Sequence, residues 1–260
     1  MSLRKFLLIP TLARSGMRAP RDVVSAWNRY WSGVSRTGAD GDVLWDAASQ
    51  AEIAWCLEQQ RRHMDPSLPV LDVGCGNGRF TRALARGAAR ALGVDLSEAA
   101  IELARRESAG TSGVEFRALD MTRPHAAEAL GAELAPANVF VRGLLHVLSR
   151  GDQRALADNL AALLGARGVL VLLETAFPGS SLDYLEFLGA RDGALPRQLA
   201  HCVESGIPKP SAFGARELAR AFPASEWTII ESGAADVHAL RMSPQGNQLI
   251  PGFYAALRPR

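Results

Sequence analysis

Apolar and polar residues alternate with two different periods along the middle of the chain. Short apolar runs predict five strands, at residues 70–73, 91–95, 114–119, 139–141 and 169–173. Amphipathic stretches predict helices between them, at 80–89, at 97–107 with Ser97 as its N-cap, and from Ser149 or Asp152 to residue 165. Another, at 47–63, predicts a helix before the first strand with Ile53, Ala54 and Leu57 on its buried face. This alternation is typical of a mostly parallel sheet with helices on both faces, a doubly wound α/β fold.

The two ends of the chain depart from this alternation. Extended runs at 227–230 and 253–257 are not separated by a helical pattern and predict an antiparallel hairpin at the sheet edge. Residues 177–213 lack periodicity, and we interpret them as an irregular substrate lid inside a domain spanning 47–260. Residues 1–46 contain several aromatic side chains and predict a helical cap on that domain.

The composition is ordinary for a globular protein of 260 residues, with 48% hydrophobic and 22% charged residues. A net charge of +2 is too small to indicate nucleic acid or a membrane as a partner. The three cysteines are widely spaced, which favours a reducing cytoplasm over a disulfide framework or a metal site. An apolar run after Arg4 and Lys5 faintly resembles a signal peptide, but Pro10 interrupts it, so we expect no such peptide.

A glycine-rich turn follows the first predicted strand. Residues 70–78 read Val-Leu-Asp-Val-Gly-Cys-Gly-Asn-Gly. Glycines let the backbone approach a ligand closely, and ligands of open α/β sheets bind beyond the carboxyl ends of the strands. Asp95 ends the next predicted strand, where its carboxylate can accept both hydroxyls of a ribose. The turn and Asp95 together predict a site for a nucleoside-containing cofactor.

Two cofactor classes use such a turn. Dinucleotide enzymes have the spacing G-x-G-x-x-G, and a helix N-terminus there holds the pyrophosphate. This chain has G-x-G-x-G instead, with Asp72 two residues ahead of the first glycine. A carboxylate there is poorly placed against a pyrophosphate but well placed to bind the ammonium of a methionine moiety. The residues therefore favour S-adenosylmethionine over a nicotinamide cofactor.

Four segments resemble the motifs of class I S-adenosylmethionine-dependent methyltransferases: residues 72–78, 93–97, 118–121 and 142–148. The resemblance covers about residues 47–174 and, more loosely, the final hairpin. It implies a Rossmann-like seven-stranded sheet with a reversed last strand. Asn138 departs from the family pattern, because many relatives carry an acidic residue before the fourth strand.

The resemblance also implies which residues surround the cofactor. Asp120 would face the adenine amino group, with Met121 beside it or simply filling the core. Arg142 would lie at the methionine end or carry a surface charge. The predicted cofactor-binding residues are Asp72, Gly74, Cys75, Gly76, Gly78, Asp95, Leu96, Asp120, Met121 and Arg142.

Four further residues are candidates for contact with the methyl acceptor. His146 could act as a general base, because a neutral imidazole can deprotonate a hydroxyl near pH 7; shaping the cofactor pocket is its alternative role. Glu174 ends the fifth predicted strand, where it would bind the acceptor or form a structural ion pair. Tyr30 and Trp31 would contact the acceptor or pack within the N-terminal cap.

The predicted function is methyl transfer to a small-molecule acceptor by in-line displacement. O-methylation is favoured, and N-, S- and C-methylation stay open. A nicotinamide-dependent oxidoreductase and a non-catalytic S-adenosylmethionine-binding regulatory protein are the alternatives, because fold alone never settles function. We expect no nucleic-acid or membrane partner and no metal; the oligomeric state, a homodimer included, is left open.

Overall fold

The computed structural model describes residues 3–17, 19–46, 50–244 and 246–260. A seven-stranded sheet lies at its centre. The strands are β1 (Val70–Val73), β2 (Ala91–Asp95), β3 (Val114–Ala118), β4 (Asn138–Arg142), β5 (Leu170–Thr175), β6 (Trp227–His238) and β7 (Leu249–Pro259). Their order across the sheet is β3-β2-β1-β4-β5-β7-β6.

The first five strands pair in parallel, and β7 pairs antiparallel with both β5 and β6. This confirms the predicted doubly wound fold, its reversed last strand and its C-terminal hairpin. The chain order reverses at β1, which lies between β2 and β4. The carboxyl ends of β1, β2 and β4 therefore flank the switch point, where a ligand of such a sheet binds.

Helices cover both faces of the sheet. The α-helices among the described residues are α1 (Ile9–Gly16), α2 (Val23–Ser32), α3 (Ala51–His63), α4 (Arg79–Leu84), α5 (Glu98–Glu107), α6 (Glu128–Leu134), α7 (Arg150–Leu164), α8 (Ser181–Phe187), α9 (Arg197–Ser205) and α10 (Ala215–Ala221). Short 3₁₀ helices span 3–8, 85–87 and 145–147. The Ser97 hydroxyl caps α5 and the Ser149 hydroxyl caps α7, each accepting a backbone N–H, as the sequence predicts.

Neighbouring strand residues point to opposite faces, and each face has its own core. Leu71, Val139 and Leu172 belong to the core under α6, α7 and α10. Val70, Phe140 and Val171 belong to the core on the other face. Because β1, β4 and β5 are buried on both faces, their sequences are almost continuously apolar.

The buried face of α3 differs from the prediction. Ala54 is exposed, and the buried residues are Glu52, Cys56, Gln59 and Gln60. The hydrophobic pattern missed this face because two of its polar side chains, Glu52 and Gln60, are satisfied by distant partners. The Gln60 amide donates to the carbonyl of Leu84, for example, at 2.9 Å. Residues 47–49, the start of the predicted helix, lie outside the described residues.

The stretch 177–213 is not irregular, contrary to the prediction, since it contains α8 and α9. The Ser180 hydroxyl and the Asp183 carboxylate form a capping box at the start of α8. The N-terminal helices pack nearby, α1 against α9 and α2 against α5. The division into a cap and a main domain stays a prediction, and residues 1, 2 and 18 of that cap lie outside the described residues.

Candidate active site

The glycine-rich turn links β1 to α4 at the switch point. The amides of Gly74 and Cys75 both donate to the carbonyl of Val94, at 2.8 and 3.0 Å, which holds the turn against the end of β2. Gly78 has a φ of +74°, and a Cβ there would lie 2.5 Å from the ring of Phe116. Gly76 has a φ of +52°, and its missing Cβ leaves room for the ring of Trp31. Both positions therefore require glycine.

Two carboxylates flank this turn. Asp72 is almost fully buried in β1 and accepts a 2.5 Å hydrogen bond from the hydroxyl of Thr81. Burial, with a smaller contribution from the charge of Asp95, raises the pKa of Asp72 to about 7. Asp95 accepts the amides of Gly76 and Ser97, at 3.0 and 2.9 Å. Burial also raises the pKa of Asp95 to about 6. A cationic group of a ligand would stabilise the ionised form of both carboxylates, so the site favours a ligand with such a group.

One cavity of about 530 Å³ extends from this turn. One end is lined by Asp72, Gly74, Gly76 and Asp95. The rest is lined mainly by apolar side chains from α1, α2, α8 and α9, among them Leu12, Trp27, Leu182, Leu185, Leu199 and Val203. A pocket of this size and character is typical of a small-molecule site.

His146 lies on the cavity wall, held by a buried carboxylate. Its Nδ1 is 2.7 Å from a carboxylate oxygen of Glu174, which is fully buried at the end of β5. The same carboxylate accepts the backbone N–H groups of Leu144, Leu145 and His146, at 2.9–3.2 Å. Because the carboxylate accepts the Nδ1 proton, the Nε2 lone pair remains available to a group in the cavity.

Arg142 occupies the end of β4 and also lines the cavity. Its guanidinium forms a bidentate ion pair with Glu52 of α3, at 2.8 and 2.9 Å. Glu52 also accepts the amide of His238, so the pair ties α3 to the end of β6. Both side chains are at most 7% exposed, which makes this pair a fixed part of the cavity wall.

The N-terminal segment (residues 19–46) rests directly on the glycine-rich turn. Besides the Trp31 ring on Gly76, the Asp46 carboxylate accepts the side-chain amide of Asn77 at 2.8 Å. The Asn28 side chain accepts the hydroxyl of Ser97, two residues after Asp95, at 2.9 Å. Sequence reasoning missed Asn28, Asp46 and Asn77, and only Asn77 had a signal, its place inside the turn.

A family model described as a methyltransferase domain matches residues 70–168. A structure described as a S-adenosylmethionine-dependent methyltransferase from Anabaena variabilis is 28% identical, with a TM-score of 0.80, covering 94% of this chain and 97% of that one. Residues 70–168 therefore form a methyltransferase domain, and the chain has the fold of the class I S-adenosylmethionine-dependent methyltransferases.

Curated relatives match over a shorter span. The ubiquinone biosynthesis O-methyltransferase of Leptothrix cholodnii is 40% identical over 136 residues, which is 52% of this chain and 54% of that protein. The ribosomal protein L11 methyltransferase of Pseudomonas putida is 31% identical over 134 residues, 51% of this chain and 42% of that protein. The chain thus spans about half the length of these two relatives.

The residues fit the family's cofactor, S-adenosylmethionine. Asp72 is a buried carboxylate on the cavity wall without an ion-pair partner among the described residues, and it would hold the ammonium group. Asp95 would accept the ribose hydroxyls. Leu96 and Met121 line the same end and would pack on the adenine. Burial raises the pKa of the Cys75 thiol, which keeps this lining residue neutral and unreactive.

Asp120 lines the cavity, but its carboxylate bonds within its own loop. One oxygen accepts the amide and hydroxyl of Thr122, at 3.0 and 2.6 Å, and the other lies 3.2 Å from Nε of Arg123. These bonds stabilise the turn after β3. The adenine amino group would therefore meet a carboxylate that is held in place by its neighbours.

Three predicted site residues do not line the cavity: Gly78, Tyr30 and Glu174. The close contact at Phe116 makes Gly78 a packing glycine. Tyr30 is fully buried between the rings of Trp45 and His201, which favours its alternative role in the core of the N-terminal segment. Glu174 turns its carboxylate onto the 144–146 backbone and His146. The other predicted residues, including Trp31, lie on the cavity wall.

Proposed function

We propose that the protein transfers a methyl group from S-adenosylmethionine to an apolar small molecule bearing a hydroxyl group. The observation that carries this proposal is the continuity of the cavity, in which the glycine-rich turn and a largely apolar chamber share one space. S-adenosylmethionine supplies an electrophilic methyl group when it is bound. A relative named for ubiquinone biosynthesis O-methylation supports both the apolar acceptor and the oxygen nucleophile.

His146 is the proposed general base. It lies on the cavity wall, and its Nε2 would accept the proton of the acceptor hydroxyl. Glu174 keeps the Nδ1 proton in place and stabilises the imidazolium that forms. The apolar walls exclude water, and much of the acceleration would come from holding the acceptor in line.

Cofactor binding tests the first part of the proposal. Titration calorimetry with S-adenosylhomocysteine should give a micromolar Kd, and NADH should not bind. Asp95→Ala should weaken binding about tenfold to hundredfold, because charge-assisted hydrogen bonds to the ribose are lost. Preference for NADH would support the oxidoreductase alternative instead. Binding without turnover across a panel of apolar phenols and alcohols would support the non-catalytic alternative.

The affinity for S-adenosylhomocysteine should fall as the pH falls. Asp72 has a pKa of about 7 in the unliganded protein, and its protonated form cannot pair with an ammonium group. Binding below pH 7 must therefore release a proton, and Kd should rise about tenfold for each pH unit below that value. Calorimetry at pH 5.5–8.5 in two buffers of different ionisation enthalpy measures the affinity and the number of protons released on binding. A flat profile without proton release would contradict the role given to Asp72.

A further inference from the structure

The N-terminal helix exposes a row of large apolar side chains. Phe6, Leu7, Ile9 and Met17, here called the apolar face, are 49–78% exposed. Phe6 and Ile9 are three residues apart across the end of a 3₁₀ helix, and Ile9 and Met17 are separated by about 80° around the α-helix, so these three lie on one broad side of the segment. Leu7 lies beside Phe6, about 120° further around. Single exposed apolar residues are common, but several on one short helical segment are typical of a binding surface.

The opposite side of this helix is firmly attached to the protein. Lys5 is buried and forms an ion pair with Asp183 of α8. The Thr11 hydroxyl donates to the carbonyl of Gly193 at 2.7 Å, and Leu8 is fully buried. The helix is therefore held on its inner side, and the orientation of the apolar face is set by the fold.

The same segment carries a strong charge asymmetry. Residues 1–21 contain five basic residues and no acidic one, although the whole chain has a net charge of only +2. Among the described residues, Arg14 and Arg21 are exposed. Exposed large apolar side chains together with exposed basic residues match the composition of helices that lie in the interface of an anionic membrane.

We propose that the apolar face docks the protein onto the surface of an anionic lipid bilayer. The described chain contains no helix long and apolar enough to span a bilayer, so the contact would be peripheral. A second copy of the chain fits less well, because a symmetric contact would bring two basic segments together. Nucleic acid fits less well because most of its contacts with proteins are made by phosphate and sugar, which do not bind large apolar side chains.

The position of the cavity indicates a role for this docking in acceptor entry. This role rests on the proposed function. Leu12, Gly16 and Ala19 of the same helical segment line the cavity. Gly16, Ser181 and Lys209 are exposed lining residues and mark where the cavity opens to solvent in the described structure. Docking of the apolar face would bring this opening to the bilayer, from which an apolar acceptor could enter without crossing water.

Co-sedimentation with sucrose-loaded vesicles tests the docking without cofactor or acceptor. The full chain should bind vesicles of phosphatidylcholine and phosphatidylglycerol about tenfold or more tightly than phosphatidylcholine alone. Replacing Phe6, Leu7, Ile9 and Met17 together by serine should weaken binding by at least about tenfold. The matched control is Ile229→Ser with Ile230→Ser, because these side chains on β6 are similarly exposed, at 45%. The control should bind like the wild type.

A second variant and two other measurements separate the outcomes. Arg14→Glu with Arg21→Glu leaves the apolar side chains intact and should weaken binding to the anionic vesicles by about thirtyfold or more, the effect of losing two basic residues near the surface. Circular dichroism melting and S-adenosylhomocysteine binding check that each variant is folded, and they test the proposed function separately. The proposal is overturned if the wild type ignores both vesicles or if the serine variant binds like the β6 control. It is also overturned if sedimentation velocity shows a dimer that the serine variant abolishes while vesicle binding is absent.

Discussion

Asp72→Asn is expected to weaken S-adenosylhomocysteine binding by about a hundredfold or more while raising the melting temperature of the unliganded protein. The loss of affinity follows from removing one partner of a buried ion pair, which typically costs about 3–5 kcal/mol. The gain in stability follows from the raised pKa of this carboxylate. Calorimetry and thermal unfolding measure the two effects on the same samples.

The pH dependence of the free energy of unfolding shows whether Asp72→Asn stabilises or destabilises the protein. The pKa of Asp72 is about 7 in the folded protein and near 3.8 in the unfolded chain. Between these values the folded state holds a proton that the unfolded state has lost, so the free energy of unfolding falls as the pH rises through this window. Each pKa unit corresponds to about 1.4 kcal/mol, so the ionised carboxylate costs about 2–4 kcal/mol above pH 7. The melting temperature of Asp72→Asn should therefore exceed that of the wild type by roughly 5–10 °C at pH 8, and by less at pH 5.

Asp42→Asn is the matched control, because Asp42 is a buried carboxylate of opposite character. Burial pushes its pKa upward, but the hydroxyl and amide of Ser35, the amide of Arg36 and the charge of Arg197 outweigh burial and lower the pKa to about 2. This replacement should lower the melting temperature and leave ligand affinity unchanged. If Asp72→Asn also lowered the melting temperature, Asp72 would be ionised and satisfied within the unliganded protein, contrary to the role assigned to it.

Local patterns predicted the parts of the fold that depend on neighbouring residues. The strands β1 to β5 are short apolar runs because both faces of the sheet are buried, and the caps Ser97 and Ser149 act within one helical turn. The turn at residues 74–78 was also predictable, since its glycines are needed for local backbone conformation and close packing. The position of Asp95 beside the turn follows from the parallel pairing of β1 with β2.

Features that depend on distant partners were not predictable in this way. No local pattern marks Glu52 of α3 as buried, because its partner Arg142 lies 90 positions later in the chain. Tyr30 and Trp31 are adjacent aromatics of one helix, yet one packs inside the N-terminal segment and the other covers Gly76. The helix α8 did have a local signal that was overlooked, the Ser180 and Asp183 capping box. The helix α8 lacks an amphipathic pattern because it lies over the cavity and none of its residues is buried.

His146→Gln is expected to lower kcat by about a hundredfold or more, because the variant retains a polar side chain but cannot accept a full proton. The Kd of S-adenosylhomocysteine should change little, since Asp72 and Asp95 dominate that affinity. The loss in kcat should shrink with acceptors whose hydroxyl is already ionised at the assay pH, because they need no base. An equal loss for acidic and weakly acidic acceptors would assign His146 a structural role in the pocket.

Glu174→Gln should lower kcat by a similar factor through a different cause. The carboxylate accepts three backbone amides and the Nδ1 proton of His146. An amide in its place presents N–H groups to those donors, which should also lower the free energy of unfolding by about 2–4 kcal/mol. Stability alone does not prove a positioning role, so the decisive measurement is the double variant with His146→Gln. If Glu174 acts through the imidazole, the second replacement adds little to the loss in kcat measured below the melting temperature. If Glu174 merely supports the fold, the two losses multiply, and catalysis at His146 does not depend on its carboxylate.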